Sequence, residues 1–132
     1  MIYLLDTHTL IWCIIDPDKL SKLALEIIEN QENTILVSAI SFWEISLKYS
    51  LGKINLHGVS PDEFSKLSID MGFESINLST AEAANYHQLN ANWHKDPFDK
   101  MLIWQAVKRN ISLISKDENV AKYSSIGLKV VW

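Results

Sequence analysis

At 132 residues the chain has the size of one ordinary domain, and a composition 48% hydrophobic and 21% charged supplies the apolar material for a packed core. The net charge of −4, with eleven Lys and Arg109 as the sole arginine, excludes the strong basic excess of a non-specific nucleic-acid binder but leaves room for local RNA binding through a metal. The single Cys13 excludes an internal disulfide and suits a reducing cytoplasm, and neither a basic leader nor an apolar run of roughly 18 residues points to secretion or a membrane.

Ile2 to Leu5 is a short apolar run that predicts a buried parallel strand. A helix is expected from about Thr9 to Ile15, interrupted by Asp16-Pro17. From Leu20 to Glu29, Leu20, Leu23, Ala24, Ile27 and Ile28 recur at helical spacing. Thr34 to Val37 predicts the second strand. Ser41 and Glu44 stand at capping-box spacing and open a helix to Tyr49, ending near Leu51-Gly52. Ser60 as cap, Pro61 and Glu63 announce a helix that stops near Met71-Gly72. Phe73 to Leu78 reads as the third strand, and Ser79 with Glu82 as a second capping box opening a helix to about Leu89. Asp96-Pro97 starts a long helix through about Lys108. Ile111 to Ile114 is strand four, Asn119 to Tyr123 a helical turn, and Leu128 to Val131 the last strand. This alternation predicts one α/β domain over residues 1–132: an α/β/α sandwich around a parallel sheet of four to five strands.

Asp6, Glu44, Asp99 and Asp117 each fall at a strand end or early in the helix beyond one. In an open α/β sheet those places share one edge, the edge where ligands bind. Carboxylates gathered there repel one another unless a cation lies between them, and Mg²⁺ takes oxygen ligands of this kind. Each acid also has a plain structural reading. Glu44 can complete the capping box with Ser41. Asp96 is a natural N-cap, Asp99 complements a helix dipole, and Asp117 can cap the next turn. Asp6 can anchor the strand-to-helix turn through backbone amides.

The remaining residues are less specific. His8, His57, His87 and His94 show no zinc-ligand spacing and read as surface or half-buried histidines. No Gly-rich phosphate loop or serine elbow is present. Trp12, Trp43, Trp93, Trp104 and Trp132 are read as core, with Trp12 and Trp43 the two placed to flank a groove. Lys48, four residues beyond Glu44 on the same helix face, either pairs with it or reaches a phosphate.

At Leu4-Leu5-Asp6-Thr7-His8, Ser41-Phe42-Trp43-Glu44-Ile45 through Lys48 and Gly52-Lys53, His94-Lys95-Asp96-Pro97-Phe98-Asp99-Lys100-Met101-Leu102 with Gln105-Ala106, and Leu113-Ile114-Ser115-Lys116-Asp117, the chain resembles the PIN-domain family, specifically VapC-type toxins of bacterial toxin–antitoxin pairs. The likeness spans essentially the whole chain. It implies a small α/β/α fold and Mg²⁺- or Mn²⁺-dependent RNA cleavage, held in check by a cognate antitoxin, in a homodimer. It places the metal-binding and catalytic acids at Asp6, Glu44, Asp99 and Asp117. Ser115 stands where the family has Thr or Ser near the metal, and Lys100 where close relatives often have Arg. Thr7, Lys48 and Asp96 join Lys100 and Ser115 as neighbours of the ligands or contacts to substrate.

The chemistry expected is phosphodiester hydrolysis, with Asp6 and Asp99 as principal ligands and a remaining carboxylate orienting or deprotonating water. An antitoxin is expected along the N-terminal helices, over Leu10, Trp12, Phe42, Trp43 and Ile45, with Arg or Lys entering the acidic pocket. Two alternatives stand beside this reading. One is a non-catalytic metal- or protein-binding α/β module. The other is a receiver- or phosphatase-like domain with Asp6 as phosphoryl acceptor, although Thr7 and His8 occupy the places where that chemistry wants a second acid.

Overall fold

The computed structural model describes residues 1–93 and 95–132. Five parallel strands, β1 (Ile2–Leu5), β2 (Thr34–Ser38), β3 (Glu74–Ile76), β4 (Ser112–Ile114) and β5 (Lys129–Val131), form one sheet of order β3-β2-β1-β4-β5. The central strand is therefore the first in sequence, and its two neighbours are β2 and β4. Chain order reverses direction between β1 and β4, which makes the gap beyond their C-terminal ends the topological switch point of the sheet.

Helices cover both faces. The alternation of strand side chains sends Tyr3, Leu5, Ile35 and Val37 to one face, against Leu10 and Cys13 of α1 (Thr7–Ile15), Ala24 of α2 (Lys22–Glu29) and Phe64 of α4 (Pro61–Asp70). Leu4 and Leu113 point to the other face, against Leu102, Ile103 and Ala106 of α6 (Pro97–Arg109), with Val120 of α7 (Glu118–Ala121) and Tyr123 beyond. Full burial of a side chain such as Leu5 or Ile103 contributes about 1.5–3 kcal/mol. Helix α3 (Ala39–Ser50) contributes Ile45 to one cluster and Ile40 to the other, so it bridges the two layers. Among the described residues no helix is long and apolar enough to cross a membrane.

Several local expectations need correction. Helix α1 begins at Thr7, not Thr9, because the carboxylate of Asp6 caps it. The capping box at Ser41 and Glu44 does not form. The cap of α3 is Ser38, whose hydroxyl accepts from Ile40 N–H, so Ser41 lies inside the helix and donates no cap. The box at Ser79 and Glu82 does form, at the start of α5 (Thr80–Asn85). Of the five tryptophans read as core, Trp104 is buried, whereas Trp43 and Trp93 are exposed and Trp12 and Trp132 half-buried.

Candidate active site

Asp6 lies at the switch point. Its backbone N–H extends the β1–β4 ladder by donating to Ile114 O at 3.1 Å, which fixes it beside the end of β4. Its Oδ1 accepts the Thr9 N–H at 2.8 Å, and the Thr9 hydroxyl donates to Ile114 O at 3.2 Å, so turn and strand are tied together. The residue is buried. Desolvation raises its carboxyl above the ordinary value, against the opposing effects of hydrogen bonds from Ser115 and Thr9 and the nearby His8. Ser115, buried just beyond β4, also accepts the Asp117 N–H at 3.1 Å. One hydroxyl thus couples the two acids that flank the switch point. Asp117 in turn caps α7, with Oδ1 accepting the Asn119 N–H at 2.8 Å.

Glu44 approaches from α3, almost two turns beyond the cap Ser38, and is 2% exposed. Lys48 pairs with its Oε2, one helical turn on. Its Oε1 is buried with no hydrogen-bond partner among the described residues. Burial lowers the Lys48 pKa, but the hydrogen bond and charge of Glu44, with the charges of Asp96 and Asp99, outweigh it and the net shift is upward. Lys48 therefore faces three acids from two segments. Asp96 caps α6 by accepting the Phe98 N–H at 2.9 Å, and Asp99 lies in the first turn of that helix. The start of α3 is held by the Thr7 hydroxyl, which donates to Ser41 Oγ at 3.1 Å in a buried position.

Two clefts open along this edge. One of about 400 Å³ is lined by Thr7, His8, Glu44, Lys48 and Lys53 over an apolar floor that includes Ile45. The other, about 220 Å³, is lined by Asp6, His8, Trp12, Lys116 and Asp117. His8 borders both. Glu44 thus falls in the first cleft, Asp6 and Asp117 in the second. As the side chains stand, no three His, Cys, Asp or Glu among the described residues are grouped closely enough to hold one metal ion. The donor set still suits a hard cation: carboxylate oxygens, two of these acids buried, one buried oxygen with no hydrogen-bond partner among the described residues, and a lysine already paired with the other oxygen of that carboxylate.

Some expectations land elsewhere. Lys100 donates to Asn92 Oδ1 at 2.9 Å and lies over the Tyr86 ring, not on the cleft walls described. Leu10 and Ile45, expected as partner contacts, are fully buried, whereas Trp43, Leu47, Tyr49 and Leu51 are exposed. His94 lies outside the described residues. Lys53 and Lys116 line the clefts although neither was singled out as a site residue. Their signal was weak, since surface lysines are common; only the fold shows which ones border the acids.

Comparison with known proteins bears on the family and the fold. The family model of the PIN domain matches residues 3–126. Ribonuclease VapC22 of Mycobacterium tuberculosis is 24% identical over 129 residues, covering 98% of this chain and 97% of that protein. Among solved structures, VapBC2 of Rickettsia felis bound to a promoter DNA fragment superposes with a TM-score of 0.67 at 24% identity, over 99% of this chain and 98% of that one. A toxin–antitoxin complex from Klebsiella pneumoniae superposes with a TM-score of 0.58 at 20% identity, over 98% and 96% of the two chains.

Proposed function

The chain belongs to the PIN-domain family, and from that premise we propose that it is a divalent-metal-dependent endoribonuclease, the toxin of a VapBC-type toxin–antitoxin pair. The observation that supports this reading is the match of the PIN-domain model to residues 3–126, with Asp6, Glu44, Asp99 and Asp117 supplied by four separate segments and Glu44 Oε1 buried with no hydrogen-bond partner among the described residues. The ribonuclease named above supports RNA as substrate.

Asp6, Glu44, Asp99 and Asp117 would hold Mg²⁺ or Mn²⁺, which when bound lowers the pKa of water and offsets charge developing on the phosphate. The protein's own contribution is placement. Ser115 orients the Asp6 carboxylate by hydrogen bonding and links it to the Asp117 backbone. Thr7 and Ser41 fix α3 against α1, so that Glu44 enters at a set depth. An acid left off the metal orients the attacking water and accepts its proton. Lys48 and Lys53 on the wall of the larger cleft attract phosphate.

An antitoxin partner follows from the likeness to toxin–antitoxin assemblies, and a basic side chain of that partner would enter the acidic edge in competition with metal. A homodimer would use the exposed stripe of Trp43, Leu47 and Leu51, which recur every four residues from α3 onward. The decisive experiment incubates the purified protein and an Asp6→Asn variant with a mixed RNA pool, with Mn²⁺ or with EDTA. Cleavage only by the unaltered protein with Mn²⁺ is expected. Equal cleavage in all four samples would overturn the assignment.

A further inference from the structure

Trp12 is a large aromatic residue that the fold leaves half-buried beside the acids. Its ring lies 5.8 Å from His8 at 35°, and 5.8 Å from Trp132 at 60°. Lys116 Nζ sits 5.9 Å from the ring centroid. His8, Trp12 and Lys116 line the cleft of about 220 Å³ that also holds Asp6 and Asp117, and His8 is exposed. Trp12 and His8 lie four residues apart on one face of α1, so the helix itself keeps both rings in register with the acid that caps it.

We propose that this cleft is a nucleobase subsite: an unpaired base of single-stranded RNA stacks on Trp12 and His8, while Lys116 takes the adjoining phosphate. The proposal rests on the ribonuclease reading above and names how that site holds its substrate. Aromatic faces stack on any base, and only bases free of a duplex can reach them. Charge selects a nucleotide over a cationic peptide side chain. Lys116 already holds the cation position over Trp12, where a guanidinium would be repelled, whereas a phosphate is attracted. Position selects the substrate strand, because the aromatic wall and Asp6 border the same cleft.

The test measures binding apart from cleavage. A fluorescein-labelled twelve-nucleotide RNA of mixed sequence is titrated in EDTA with the full chain and with Trp12→Leu, Trp12→Phe and Lys116→Ala, beside an RNA of equal length containing abasic positions. Trp12→Leu is expected to weaken binding about tenfold, the loss of one base–aromatic stack, and Trp12→Phe to recover most of it. The unaltered protein should bind the abasic RNA about as weakly as Trp12→Leu binds the normal one. Lys116→Ala should reduce the slope of log affinity against log salt by about one.

Unchanged binding by Trp12→Leu would overturn the proposal. So would equal losses for Trp12→Leu and Trp12→Phe, since a packing role alone gives that pattern. If Trp12→Leu instead loses only the response to an arginine-containing peptide, the cleft belongs to a protein partner and the base subsite falls. A Mn²⁺ cleavage assay on the same proteins separates the two levels. Lost base binding without cleavage by any protein would remove the ribonuclease reading and keep the subsite. Cleavage with binding unaffected by Trp12→Leu would remove the subsite alone.

Discussion

Lys48 holds one carboxylate oxygen of Glu44 while the other, Oε1, is buried with no hydrogen-bond partner among the described residues. A buried carboxylate paired through one oxygen keeps acceptor capacity for a cation at the other, and the lysine competes with that cation. Lys48→Met would strip Glu44 of its counter-charge. Without metal we expect a loss of about 1–3 kcal/mol, discounted for the partial exposure of the lysine. Mn²⁺ should then raise the melting temperature of Lys48→Met more than that of the unaltered protein. Calorimetry with and without Mn²⁺ decides; an equal increment in both proteins would mean that Glu44 does not meet the metal.

Asp96 and Asp99 stand three residues apart around Pro97, but their roles diverge. Asp96 caps α6 through Phe98 N–H, and Asn caps about as well as Asp, so Asp96→Asn should keep substantial activity. Asp99→Asn removes a negative ligand at nearly constant size. It should reduce RNA cleavage on the order of 100-fold and weaken Mn²⁺ binding, while the metal-free melting temperature stays equal or rises. Cleavage rate, Mn²⁺ titration and melting measured together on both variants check this. Loss in Asp96→Asn alone would reverse the assignment.

On the far side of α6, Arg109 grips Glu82 through Nε to Oε2 at 2.8 Å and Nη2 to Oε1 at 3.0 Å. Burial pushes the Glu82 pKa up, but the hydrogen bonds from Arg109, the Ser79 N–H and Gln105, with the Arg109 charge, outweigh it and lower the pKa to about 2 from an ordinary 4.5. A depressed folded-state pKa contributes stability that is complete above about 4.5 and lost as pH falls towards 2. Arg109→Met should therefore cost about 1–3 kcal/mol at pH 7 and progressively less below pH 4.5. Urea unfolding of both proteins from pH 7 to pH 3 gives the curve. A gap that stays constant over this range would show that the ion pair is not its source.

That network also explains why one local reading failed. Ser38 and Ser41 are each competent helix caps by residue type, and Ser41 has Glu44 at capping-box distance. Ser38 wins because its hydroxyl donates to Gln105 Oε1 at 2.7 Å while accepting the Ile40 N–H. Gln105 is itself held by Asn77 O and Glu82. The partner lies 67 positions away, so no local spacing could reveal it. With Ser41 drawn inside the helix and bonded to Thr7, Glu44 is freed from capping and lines the cleft beside Thr7 and Lys48.

What the chain determines by itself is whatever closes within a few residues. The apolar runs of β1, β2 and β4, the caps at Ser60, Ser79 and Asp96 and the turn anchored by Asp6 rest on relations within a few positions and are legible from spacing, whereas spacing left Lys48 open between Glu44 and a phosphate. Strand-end positions pointed the acids to one edge, and the resemblance at four separated segments added the metal-binding role expected of them. Strand order was not legible, because parallel neighbours are joined through crossovers and any of several orders buries the same apolar runs. Only the tertiary structure puts β4 beside β1, couples Asp6 to Asp117 through Ser115, and turns Trp12 and Lys116 into the same cleft. Those relations depend on which faces pack against which, and side-chain burial is a property of the assembled layers, not of any one segment.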